Sequence, residues 1–126
     1  MTKSYMKEDQ ICKSFYSLFM GYKSANQLQV DDIKLFHIPN GGKRNVIEAS
    51  KFKQMGTLPG VPDYQVIWVK SGKVFFGFLE AKREKASYLS SAQKNFKVFC
   101  DDNNVYYNIF RSPDEGVERL KGWGIL

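Results

Sequence analysis

Two apolar runs joined by a turn restrict the fold of this chain more than any other feature. Tyr64 to Val69 and Val74 to Lys82 are rich in β-branched and aromatic residues, and the spacer Lys70-Ser71-Gly72-Lys73 between them is turn-like. The pattern predicts a β-hairpin. A turn near Ser71-Gly72 fixes a register in which Asp63, at the start of the first strand, lies opposite Glu80 near the end of the second. Strand alternation then puts Glu80 and Lys82, two positions apart, on one face. A Glu and a Lys at a solvated strand end are commonplace and by themselves mean nothing. Asp63, held behind the Gly60-Val61-Pro62 elbow, turns the pair into a cluster.

The rest of the chain supplies helices and two further strands. Ile11, Phe15, Leu18, Phe19 and Tyr22 recur at helical spacing between Lys7 and Tyr22 and make one apolar face. Ile33, Leu35, Phe36 and Ile38 predict a short strand ending at Pro39, followed by a turn at Asn40-Gly41-Gly42. Asn45 can cap a second helix reaching about Met55, with Val46, Ala49, Phe52 or Lys53, and Met55 near one side and Gly56 at its C-terminal end. Ser90 or Ser91 opens a third helix with Phe96, Phe99 and Cys100 inward, and a strand at Val105 to Phe110 follows, a crossover that suits parallel pairing. Ser112-Pro113-Asp114-Glu115 starts a short final helix, where Trp123 packs. With 126 residues and no repeat or linker, the chain is expected to form one domain, residues 1–126, an α/β/α sandwich whose mixed sheet is flanked by helices.

Composition narrows the setting. No apolar run approaches the roughly 20 residues that span a bilayer, and the start MTKSYMKEDQ has no secretory pattern, so a cytoplasmic, intracellular protein is expected. Cys12 and Cys100 read as buried free thiols. Nineteen Lys and Arg against thirteen Asp and Glu give a formal charge of +6, which favours a polyanionic partner. His37 is the only histidine, which excludes a His-rich zinc site and any nuclease dependent on the ββα-metal motif; it reads as a strand residue near the cluster.

Asp63 and Glu80 side by side repel unless a cation lies between them, and Mg²⁺ accepts hard oxygen ligands. Lys82 beside them can orient an attacking water and offset charge on a phosphorane-like transition state. The set reads Pro62-Asp63, sixteen intervening residues, then Glu80-Ala81-Lys82, which resembles the PD-(D/E)XK phosphodiesterases. Around it stand Pro39-Asn40-Gly41-Gly42-Lys43-Arg44, Met55-Gly56-Thr57-Leu58-Pro59-Gly60-Val61, Phe78-Leu79 and Leu89-Ser90-Ser91-Ala92-Gln93. In that order and spacing, from about Glu8 to Phe110, the chain resembles the virus-type replication-repair nuclease domain, VRR-NUC, in its stand-alone phage or bacterial form.

The resemblance implies a restriction-endonuclease-like fold and a Mg²⁺- or Mn²⁺-dependent endonuclease acting on branched DNA, with a homodimer resolving four-way (Holliday) junctions. It implies Asp63, Glu80 and the Ala81 carbonyl as metal ligands, Lys82 as the catalytic lysine and Gln93 as the active-site glutamine. Glu8 resembles the acidic residue that the first helix adds to the metal shell, with Asp9 adjacent and a helix-dipole role as the alternative. Asn40, Gly41, Gly42, Lys43 and Arg44 offer amides and cations to phosphate, and Arg83 and Lys85 follow the catalytic strand. Tyr88, Lys94 and Lys97 are weaker candidates of the same kind. A monomeric nicking or repair nuclease on flap or duplex DNA, and a DNA-binding module that does not cut, are the competing readings.

Overall fold

A computed structural model describes residues 6–39, 46–83 and 88–126. In chain order the elements are α1 (Glu8–Ser24), β1 (Asp32–His37), α2 (Val46–Gln54), β2 (Tyr64–Lys70), β3 (Lys73–Ala81), α3 (Ser91–Asp102), β4 (Tyr106–Phe110) and α4 (Pro113–Gly122). The sheet runs β1-β2-β3-β4; its first three strands are antiparallel, and β4 joins parallel to β3 through the α3 crossover. This is an α/β fold with a four-stranded mixed sheet flanked by helices, consistent with a restriction-endonuclease-like sandwich. No helix among the described residues is long and apolar enough to cross a membrane.

The hairpin turn is two residues long, with Ser71 at φ 53° and Gly72 at φ 76°, the left-handed pair whose twist matches the strands it joins. It makes each strand one residue longer at the turn than the apolar runs predict, because Lys70 and Lys73 also pair. Tyr64 faces Leu79 across this hairpin, so the position before Tyr64 falls opposite Glu80, as the register requires.

One face of the sheet carries the core. Tyr64, Val66, Trp68 and Leu79 meet Ile11, Phe15 and Phe19 of α1, with Leu120 of α4 and Ile125 beyond it. Phe15 is the pivot: its ring lies 4.7 Å from Phe110 and 5.3 Å from Tyr64. A Cβ at Gly116 would come within 2.4 Å of the Phe15 ring, so α4 can approach α1 only with glycine there. Trp68 stacks between Phe75 and Trp123, at 5.5 and 5.4 Å, which closes the sheet's other end and gives Trp123 its expected role.

The opposite face is covered by α3, where Phe96 meets Phe78 edge-on at 4.9 Å. Two helix expectations need correction. Phe99 is not inward but 59% exposed, and only Cys100 of α3 is buried. A single helix over a sheet turns only a narrow stripe inward, here half-buried Phe96 and buried Cys100 four apart, and leaves its flank in solvent. Likewise α2 buries none of its residues, and Val46 and Met55 stand exposed although Gly56 ends the helix at φ 90° as anticipated. Asn45, its expected cap, lies outside the described residues. On α1, Ile11, Phe15 and Phe19 are buried while Leu18 faces outward.

Because Phe15 is fully buried among elements from both chain ends, Phe15→Ala is expected to cost about 3–5 kcal/mol, read as a lowered midpoint in a urea titration.

Candidate active site

At the end of β3 away from the turn, apolar alternation gives way to charge. Glu80 and Lys82 are the buried charged residues among those described, at 4% and 7% exposure, so neither sits at a solvated strand end. Burying them demands partners, since an unpaired internal charge is costly. Gln93 meets that demand for both: its Nε2 donates to Glu80 Oε1 at 3.0 Å and its Oε1 accepts from Lys82 Nζ at 2.9 Å.

The position of Gln93 follows from the start of α3. Ser90 Oγ accepts from the Gln93 N–H at 3.2 Å and Gln93 Oε1 accepts from the Ser90 N–H at 2.9 Å, a reciprocal capping box that fixes the first turn of the helix. Gly60 locks the same turn from outside. It holds φ 85°, and a Cβ there would fall within 2.4–2.8 Å of the Ala92 carbonyl and the Gln93 nitrogen, so the elbow before Asp63 rests directly on the backbone of α3.

Asp63 arrives from that elbow. Its Oδ2 accepts the Ala81 N–H at 2.7 Å, and its own carbonyl accepts the Ile38 N–H at 2.7 Å, tying it to both neighbouring strands. The Asp63 and Glu80 carboxyls lie against each other, an arrangement that two ionised acids resist. Burial, and then the Asp63 charge, push the Glu80 carboxyl up to about 8 against the pull of Lys82. Burial also raises Asp63, although its bond from Ala81 opposes this. Beyond Gln93, the neighbour of the Glu80 carboxyl is Asp63, with which it shares a side-chain hydrogen bond.

Glu8, in the first turn of α1, is near enough to raise both carboxyls, so the first helix brings its acid to the cluster. Ala81 is fully buried with its N–H committed to Asp63. Arg83 is exposed, and its carbonyl accepts from Arg111 Nη1 at 2.7 Å, which anchors the chain as it leaves β3. Tyr88 and Lys94 are exposed, while Lys97 pairs with Asp101 and lies over the Tyr107 ring. Asn40, Gly41, Gly42, Lys43, Arg44 and Lys85 lie outside the described residues.

Two groups near the cluster escape a reading of the sequence. The Tyr107 hydroxyl is buried without a partner and is pushed up first by burial and next by the Glu80 charge. Its strand alternation marks it only as an aromatic on a sheet. Cys12, expected to be a buried free thiol, is only half-buried and stands with His37 beside Asp63, with ligand atoms within 4.8 Å of one another. Positions 12, 37 and 63 share no local pattern, so only the folded sheet reveals the group. Burial first, and Asp63 next, push the Cys12 thiol up to about 12. Neither cysteine is in a disulfide, as expected.

A carboxyl that keeps its proton to about 8 in the fold but releases it at its ordinary 4.5 when unfolded makes the folded state the stronger proton binder between those values. The stability this contributes is present in acid and is lost as pH rises from 4.5 through about 8. Metal-free protein is therefore expected to lose melting temperature over that interval, and Glu80→Gln, which cannot ionise, to flatten the decline in a calorimetric pH series. The chain matches no protein-family model, no curated protein and no solved structure.

Proposed function

We propose that the chain is a Mg²⁺-dependent endonuclease that hydrolyses phosphodiester bonds in branched DNA, resolving four-way junctions as a homodimer. The observation that carries the reading is the pairing of half-buried Asp63 with buried Glu80: the two carboxyls lie against each other, and both are destabilised as anions. A hard divalent cation supplies what that pair lacks, and an all-oxygen donor set suits Mg²⁺, with Mn²⁺ as a substitute. Asp63, Glu80 and the Ala81 carbonyl are the residues that would hold it, with Glu8 the further acid at hand.

When bound, such an ion supplies Lewis-acid polarisation of a phosphoryl oxygen and a more acidic water. The remaining work belongs to the side chains. The Lys82 ammonium is held at 2.9 Å from Gln93 Oε1 rather than spent in a salt bridge, so its charge is available to an attacking water and to the oxygens of a pentacovalent phosphate. Gln93 acts as a positioning residue, since one amide sets the side chains of Glu80 and Lys82 together. Arg83 and the net charge of +6 suit the DNA backbone, which is bound through phosphates without regard to sequence. Branched substrate and dimer come from the VRR-NUC resemblance, and a two-fold protein would match a two-fold junction.

The test is cleavage of a four-way junction, a flap and a linear duplex with and without Mg²⁺. Cleavage is expected to need the ion and to favour the junction, and Glu80→Ala is expected to retain junction binding while cutting about 10²- to 10³-fold more slowly. Preference for flap or duplex would move the reading to a repair or nicking enzyme, and sedimentation would report whether it works as a monomer. Equal cleavage by wild type and Glu80→Ala would overturn the assignment.

A further inference from the structure

Asp63 faces two ways. Toward α3 it meets Glu80; toward α1 it stands with Cys12 and His37, their ligand atoms all within 4.8 Å of one another. The three come from α1, the end of β1 and the residue before β2, and each is tied in place. The Tyr64 hydroxyl donates to the Cys12 carbonyl at 3.1 Å, the Tyr64 ring meets the His37 imidazole edge-on at 5.3 Å, and the Ile38 N–H holds the Asp63 carbonyl.

We propose that Cys12, His37 and Asp63 form a second cation site, one for a thiophilic divalent ion such as Zn²⁺. Sulfur, imidazole nitrogen and a carboxylate oxygen are a donor set that hard Mg²⁺ does not select and that Zn²⁺ does. Zinc bonds of about 2.0–2.3 Å place tetrahedral donors about 3.3–3.8 Å apart, so a side-chain movement of about 1 Å closes the group around an ion. As the ion binds, the Cys12 thiol releases its proton to solvent and the sulfur becomes a thiolate ligand. A cavity of about 510 Å³, bordered by Cys12, His37, Asp9 and Tyr16, opens beside the group and admits a water as the fourth ligand.

The site does not depend on the nuclease reading, since it needs neither Glu80 nor Lys82. Asp63 belongs to both, so the two ions compete for one carboxylate.

Co²⁺, which takes zinc geometry and is coloured, tests the proposal directly. Titrating the reduced, metal-free chain with Co²⁺ is expected to produce a near-ultraviolet sulfur-to-cobalt absorption that saturates at one ion per chain and is displaced by Zn²⁺. Cys12→Ser is expected to abolish it and His37→Ala to weaken binding at least about tenfold. Cys100→Ser and Glu80→Gln are expected to keep it. Circular dichroism shows whether each variant folds, and should Cys12→Ser fail to do so, His37→Ala on the exposed strand end decides. The proposal is overturned if folded wild type gives no such absorption, if it survives Cys12→Ser or is unaffected by His37→Ala, or if Glu80→Gln removes it. Loss of DNA cleavage in Glu80→Gln with the cobalt absorption intact would separate this site from the catalytic one.

Discussion

Everything at the site depends on the register of β2 against β3. A two-residue turn admits one pairing, and the buried side chains on the α1 face reinforce it: slipping the hairpin by one residue would drive Val66, Trp68 and Leu79 into the wrong layer. That hydrophobic constraint has an electrostatic consequence. With Tyr64 fixed opposite Leu79, the next positions outward are Asp63 and Glu80, and their carboxyls meet. Two acids are held together by the burial of apolar residues on the other face of the sheet.

The same pairing explains how a lysine comes to be buried two residues after a glutamate. Beyond Leu79 the chain no longer pairs with β2, yet it still runs beside β4 and the Lys82 N–H bonds the Phe110 carbonyl, which prolongs the strand direction and keeps the lysine on the Glu80 side. Its ammonium then falls over the start of α3. Gly60 brings the elbow against Ala92 and Gln93, so helix, elbow and strand end meet at one point, and there the Gln93 amide donates to the acid and accepts from the ammonium at once.

What could be read in advance was whatever repeats locally. The hairpin, the Ser112 cap with Pro113 after it, the crossover to a parallel β4 and, apart from Leu18, the α1 stripe all leave a period or a turn residue in the chain, and the structure has them where expected. The adjacency of Asp63, Glu80 and Lys82 is legible because a register links them, whereas Gln93 was expected there only from the VRR-NUC resemblance. Phe99 was misread because helical spacing says which residues share a side and not how wide a partner that side will meet. α2 was over-read for a similar reason, since an apolar stripe guarantees no neighbour to bury it. Cys12 and Tyr107 had no signal at all, being drawn to the cluster by α1 packing and by β4 pairing.

The position of Asp63 is the less obvious consequence of the topology. It precedes β2, the strand between β1 and β3, so it stands at the mouth of two strand pairs at once, with His37 on one side and Glu80 on the other. An acid inside a strand is committed to one face by alternation; an acid just before a strand, held by backbone bonds to both neighbours, is not. Its Oδ2 is engaged by Ala81, yet α1 can still bring Cys12 within reach from the far side. The central place of β2 in the sheet therefore gives one carboxylate two sets of neighbours, Glu80 from β3 on one side and Cys12 with His37 on the other, and the chemistry of each set follows from which residues the neighbouring elements bring.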